Sequence, residues 1–159
     1  MKKILNFIAL NLLAVTLFAS EDHPIVVGKS DAKVSKMAIA SFENEFKAAK
    51  QVSWEVSDDF YFAHFILNNE ELVAAYNEDG TASAVSRYIE FDELPLSINM
   101  EIEKKYTGYK KAGRVMEVVS GGQTNYFFTI FNEKKALRIK TATDGYLDVI
   151  DKMKIENKK

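Results

Sequence analysis

The sequence predicts an α+β protein: two tandem helix-plus-four-strand repeats that form one antiparallel sheet with the helices on one face. Three observations lead there. Two segments sixty residues apart carry apolar side chains at i, i+4 and i+8, one face of an amphipathic helix. Each is followed by four short β-prone runs. The turn residues between those runs recur in the same order, ending both times on Asp-Gly.

The chain has 159 residues, no cysteine, two histidines and a net charge of −2. That length suits one domain, or two small units sharing a core. The absence of cysteine excludes a disulfide scaffold, a thiolate zinc site, a Cys nucleophile and a lipidated N-terminal cysteine. The near-neutral charge gives no electrostatic footprint for nucleic acid.

Residues 1–19 read as a signal peptide. Lys2 and Lys3 precede an apolar stretch from Ile4 to Ala19, and charge returns at Glu21 and Asp22. The stretch is shorter than the ~20 residues that span a bilayer, which favours cleavage over anchoring. Leu17 and Ala19 fit the positions a signal peptidase reads. The expected location is the periplasm or the exterior, by a Sec-type, non-lipoprotein route. Residues 20–32 form a flexible polar leader, 33–93 a first repeat, 94–153 a second repeat and 154–159 a polar tail.

In the first repeat, Ala38, Phe42 and Phe46 mark the helix. Val52, Trp54 and Val56 alternate as a strand, followed by Phe60 to Leu67, Glu71 to Tyr76 and Ala82 to Ile89. Asp58-Asp59, Asn68-Asn69 and Asp79-Gly80 supply the turns. In the second repeat, Leu94-Pro95 starts a helix marked by Ile98, Ile102 and Tyr106. The strands are Arg114 to Val119, Tyr126 to Phe131, Ala136 to Thr141 and Tyr146 to Ile150. The offset is 60 residues in the helices and 65 from Tyr61/Tyr126 onward, so five extra residues are expected in the Gly121-Gly122 loop.

These residues carry a resemblance. Trp54-Glu55, Tyr61-x-Ala63-x-Phe65-x-Leu67-Asn68 and Leu72-x-Ala74-x-Tyr76-x-x-Asp79-Gly80 resemble the β-lactamase-inhibitor-like, PepSY-like family of small exported bacterial proteins, over residues 33 to 153. The resemblance implies a concave antiparallel sheet presented to a protein partner. It carries over no binding residue. The second repeat departs from the pattern, with Arg114 in the place of Trp54 and Thr141 in that of Tyr76.

Catalytic chemistry finds little support. There is no Gly-x-Ser-x-Gly, His23 falls in the leader, and His64 lies within a strand without a nucleophile in its motif. Two isolated histidines do not make a metal site, and Asn77-Glu78-Asp79-Gly80 lacks the closing Glu of a calcium loop. The adjacent acids Asp58-Asp59, Glu70-Glu71 and Asp92-Glu93 read as turns or a helix start. Gly121-Gly122 lacks a P-loop Lys, and Lys152 to Lys159 read as a solvated tail. The expectation is no catalytic residue, no metal and no cofactor.

One pattern is less ordinary. If Tyr61, Ala63, Phe65 and Leu67 pack under the helix, Phe60, Phe62, His64 and Ile66 face the other way. Likewise Tyr126, Phe128 and Ile130 are core, and Phe127, Thr129 and Phe131 face away. A sheet covered on one face should leave the other polar, yet this one is aromatic. The leader (Ile25, Val26, Val27) or a second copy of the chain covers it, or it is a binding surface. Phe60, Phe62, His64, Ile66, Phe127 and Phe131 are therefore the candidate partner-binding residues. The functions expected are a non-enzymatic interaction module for a protein or peptide, an inhibitor among the forms it could take, or else a periplasmic carrier or sensor of a small apolar ligand.

Overall fold

The computed structural model describes residues 33–155 apart from residue 58. The expected signal peptide, the leader with His23, and the end of the tail lie outside the described residues. Helix α1 (Lys36–Glu45) leads into strands β1 (Lys50–Ser57), β2 (Phe60–Leu67), β3 (Glu70–Tyr76) and β4 (Ala82–Ile89). One turn of 3₁₀ helix (Phe91–Glu93) precedes α2 (Leu96–Lys105). Strands β5 (Lys110–Ser120), β6 (Gln123–Phe131), β7 (Lys135–Ala142) and β8 (Asp148–Lys154) follow. All eight strands lie in one antiparallel sheet in chain order, β1 to β8.

Local chemistry starts each helix. The Ser35 Oγ accepts from the Met37 and Ala38 amides and donates to the Glu78 carbonyl at 2.7 Å. One side chain thus caps α1 and ties it to the β3–β4 turn. For α2, the Asn99 amide donates to the carbonyls of Phe91 and Leu94, fastening the 3₁₀ turn to the helix. Lys104 and Lys105 in its last turn suit the negative end of the helix dipole.

Strand alternation and register put both helices over the same face. The ladder Trp54↔Ala63↔Ala74↔Val85↔Val119 fixes one face across the first five strands. Arg87↔Glu117↔Tyr126↔Thr141 continues it to β7. Under α1, Ala38 and Phe42 pack with Ala63, Phe65, Ala74 and Tyr76. Under α2, Ile98 and Ile102 pack with Val115, Tyr126, Phe128, Ile130, Leu137 and Ile139. Each large side chain fully buried here contributes roughly 1.5–3 kcal/mol. Strand β4 serves both cores: Val85 packs on the first and Ile89 belongs to the second.

Several sequence expectations need correction. The connection β1–β2 and the connection β5–β6 are the same length, since β1 ends at Ser57 and β2 begins at Phe60, while β5 ends at Ser120 and β6 begins at Gln123. The five extra residues therefore sit in the strands rather than in the Gly121-Gly122 loop. Four of them form two added rungs, Val119↔Thr124 and Ser120↔Gln123. The fifth enlarges a bulge: Gln51 and Val52 bulge out between Lys50 and Ser53 in β1, whereas Gly113, Arg114 and Val115 do so between Ala112 and Met116 in β5. Whole rungs preserve which face each side chain meets, and a bulge absorbs an odd residue. As a result Val115, not Arg114, takes the core position that Trp54 has in the first half. Val115 is fully buried, and Arg114 is exposed.

The strand expected at Tyr146 to Ile150 begins and ends later. Leu147 turns into the core, Tyr146 stays exposed, and pairing with β7 runs out to Lys135↔Lys154. Lys152 and Lys154 thus belong to an edge strand and not to a solvated tail. Charged residues there keep the open edge of the sheet from pairing with other chains.

Candidate interaction surface

The helix-covered face closes on itself at the midline. Between the two cores, the Arg87 Nε donates to Oε2 of Glu117 at 2.7 Å, and its Nη1 donates to Oε2 of Glu70 at 2.6 Å. The two carboxylates hold the Arg87 guanidinium even more firmly protonated than usual. Burial, followed by the negative charge of Glu117, also raises the Tyr126 phenol above its ordinary range. This network joins β3, β4 and β5 and leaves its charges paired, so it reads as structural.

Among the described residues, no helix lies over the opposite face. Its rungs follow from the register. One runs Ser53–His64–Val73–Ser86–Val118–Asn125–Ala142 across seven strands and is mostly small or polar. Another holds Glu55, Phe62, Ala75 and Ala84. A third runs Tyr88–Met116–Phe127–Lys140–Asp148. The middle of the face is therefore floored by small side chains, with aromatic groups to either side.

All six candidate residues lie on this open face, in two groups. Phe60, Phe62, His64 and Ile66 are on β2, and Phe127 and Phe131 are on β6. Three strands intervene, so the groups stand roughly 19 Å apart at ~4.8 Å per strand. Phe60, Phe62, Ile66 and Phe131 are half-buried, and the rings of Phe60 and Phe62 lie 6.3 Å apart. Phe127 is only 6 % exposed, against the expectation of an open anchor. Its rung neighbours explain this: Met116 is 5 % exposed beside it, and the Lys140 ammonium lies 5.8 Å above its ring.

His64 is held by a neighbour. Its Nε2 lies 3.3 Å from Oε2 of Glu55. That contact favours the tautomer with the proton on Nε2 and leaves Nδ1 as an acceptor. Nδ1 is buried and has no hydrogen-bond partner. On the same face, its direct cross-strand neighbour is Ser53.

Residues missed by sequence reasoning also belong here. Tyr88 is 41 % exposed, and the Arg114 guanidinium stacks 4.9 Å above its ring. Alternation along β4 would have placed Tyr88 on this face. Arg114 reaches it only because the β5 bulge adds a residue. Among the described residues, no three His, Asp or Glu side chains converge as a metal would require, and no helix is long and apolar enough to cross a membrane.

An eight-stranded antiparallel sheet with two helices on one face defines a class of architecture, and solved structures share that fold. No family model matches the chain, and neither does any curated relative. The fold is similar to a BLIP-like protein of Bacteroides fragilis NCTC 9343, with a TM-score of 0.65 and 13 % identity over 80 % of this chain and 91 % of that one. It is also similar to a predicted periplasmic protein of Bacteroides eggerthii DSM 20697, with a TM-score of 0.66 and 13 % identity over 78 % and 91 % of the two chains. A DUF2874 family protein of Bacteroides uniformis ATCC 8492 gives a TM-score of 0.66 and 16 % identity over 77 % and 90 %. The chain thus has the β-lactamase-inhibitor-like fold that the sequence pattern resembles. At these identities the likeness concerns the fold.

Proposed function

We propose that this protein is an exported, non-enzymatic interaction module that binds a protein or peptide through the open sheet face, with inhibition of that partner as one outcome. The observation that carries the reading is the partial exposure of Phe60, Phe62 and Ile66 on the side of β2 that neither helix covers. Aromatic side chains on a rigid sheet are efficient anchors because little conformational entropy is lost when they dock. The BLIP-like and predicted periplasmic neighbours support the same reading.

The carrier reading has less support. A cavity of about 730 Å³ lies at one end of the sheet, beside the candidate residue Phe131. Phe131 and Ile155 line it along with Lys110, Asn132, Glu133 and Lys134, and it opens widely to solvent, so it does not enclose a small apolar ligand.

The same proposal covers the chain's organisation. Residues 1–19 are a signal peptide, 20–32 a leader, and 33–93 and 94–153 two related units. In support, α1 and α2 end on equivalent hydrogen bonds, Phe46 N–H to the Phe42 carbonyl and Tyr106 N–H to the Ile102 carbonyl.

The test is affinity capture from periplasmic extract with the wild-type chain and with Phe60→Ser/Phe62→Ser. Specific capture lost in the variant upholds the reading. Identical profiles from both chains overturn it.

A further inference from the structure

We infer that the open face is self-complementary and docks a second copy of this chain, sheet on sheet about a two-fold axis. The inference rests on the reading of this face as an interaction surface and names its partner.

The first support is charge. On the open face, strands β1 to β4 carry Glu55 and Glu71 against Lys50. Strands β5 to β8 carry Lys110, Arg138, Lys140 and, stacked on Tyr88, Arg114, against Asp148 and Asp151. The first half is net negative and the second net positive. An isologous contact pairs each half with the opposite half, and so joins unlike charges twice.

The second support is the register. Leu72↔Arg87 places Glu71 next to Tyr88, whose rung continues through Met116 and Phe127 to Lys140. A two-fold axis along the strands between β4 and β5 turns this rung onto itself. It lays Tyr88 over Met116 of the second copy and Glu71 over its Phe127. The Lys140 ammonium already lies above that ring, so Glu71 arrives on an ammonium with an aromatic floor. The neighbouring rung stacks Ser86 on Val118, and such small side chains let two sheets approach to the ~10 Å of a packed sandwich.

The third support is size. Eight strands span roughly 34 Å across by 23 Å along, a face on the order of 800 Å². A contact over most of that face would reach the ~800 Å² per partner of a standard stable interface.

The test is sedimentation equilibrium of the full chain, purified after export, over a wide concentration range. Its arms are wild type, Glu71→Lys, Lys140→Glu and the double reversal, each with its melting temperature recorded. The wild type is expected at twice the chain mass. Each single reversal should weaken self-association by roughly tenfold or more, and the double should recover most of it. A wild type of single-chain mass throughout overturns the inference. So does a dimer indifferent to both reversals, or a double reversal no better than the singles. A monomer that still captures another protein through Phe60 and Phe62 overturns self-association alone. A dimer that captures nothing leaves self-association standing and removes the heterologous partner.

Discussion

A Cβ built on Gly80 would lie 2.8 Å from the carbonyl oxygen of Met37, in the first turn of α1. Gly80 also has φ +80°, in the left-handed region. The β3–β4 turn therefore touches the backbone of α1 at Met37 and the Ser41 hydroxyl directly, and Ser35 pins the same junction through Glu78. Gly145 has the same φ but a nearest approach of 3.8 Å to Ser97. Gly145→Ala should cost about 1 kcal/mol, from the backbone conformation only. Gly80→Ala should cost about 2–4 kcal/mol, because a contact between backbones must also open. Urea denaturation of the two variants measures the difference.

Phe42 is the hub of the first core. Its ring centroid lies 5.0 Å from Phe65, 5.4 Å from Phe46 and 5.5 Å from Trp54. Phe42→Ala should destabilise by about 3–5 kcal/mol, since surrounding aromatic rings are too stiff to fill the cavity. The same urea titration checks it.

Tyr76 is fully buried, and its hydroxyl donates to Oε2 of Glu45 at 2.8 Å. Burial first, then the Glu45 bond and charge, pushes the phenol well above its ordinary value of 10.0. A raised acid pKa means that the folded state favours the neutral form. Its contribution is complete below pH ~10 and is lost as the pH climbs beyond that. The stability of the wild type should therefore fall more steeply above pH 10 than that of Tyr76→Phe. At neutral pH the variant should be less stable by only about 1 kcal/mol. Urea midpoints across the alkaline range, measured on both chains, separate the Tyr76 effect from lysine titration common to both.

His64 predicts a gain. An unsatisfied buried acceptor costs about 1–3 kcal/mol, whereas Glu55 is exposed enough to return to water. His64→Leu should raise stability by up to about 1 kcal/mol while weakening any partner that contacts the polar edge of its ring beside Glu55. Thermal unfolding and a binding isotherm read the two effects independently.

Much of the fold was legible in the sequence because periodicity reports burial. The i, i+4, i+8 sets of Ala38 and Ile98 found both helices, and alternation in Tyr61 to Leu67 found the covered face. What escaped depends on register, which alternation alone does not fix. The pairing of Arg87 with Glu70 and Glu117 joins residues up to 30 positions apart. The bulge that sends Val115 inward and Arg114 outward is a single extra residue. The burial of Phe127 follows from Lys140 and Met116, cross-strand neighbours that only the ladder brings beside it. Of the candidate site, the direction each side chain faces was readable; the two-group layout and the degree of exposure were not.

The central claim is that the open face exists to be docked against. Phe60→Ser/Phe62→Ser tests it most directly, since Phe127 is too buried for its removal to separate binding from folding. Binding of the captured partner and thermal melting should be measured on the same preparation. Affinity should fall at least roughly tenfold while the melting temperature drops by only a few degrees. Unchanged affinity, or a collapse of melting temperature showing that the two rings hold the fold together, would contradict it.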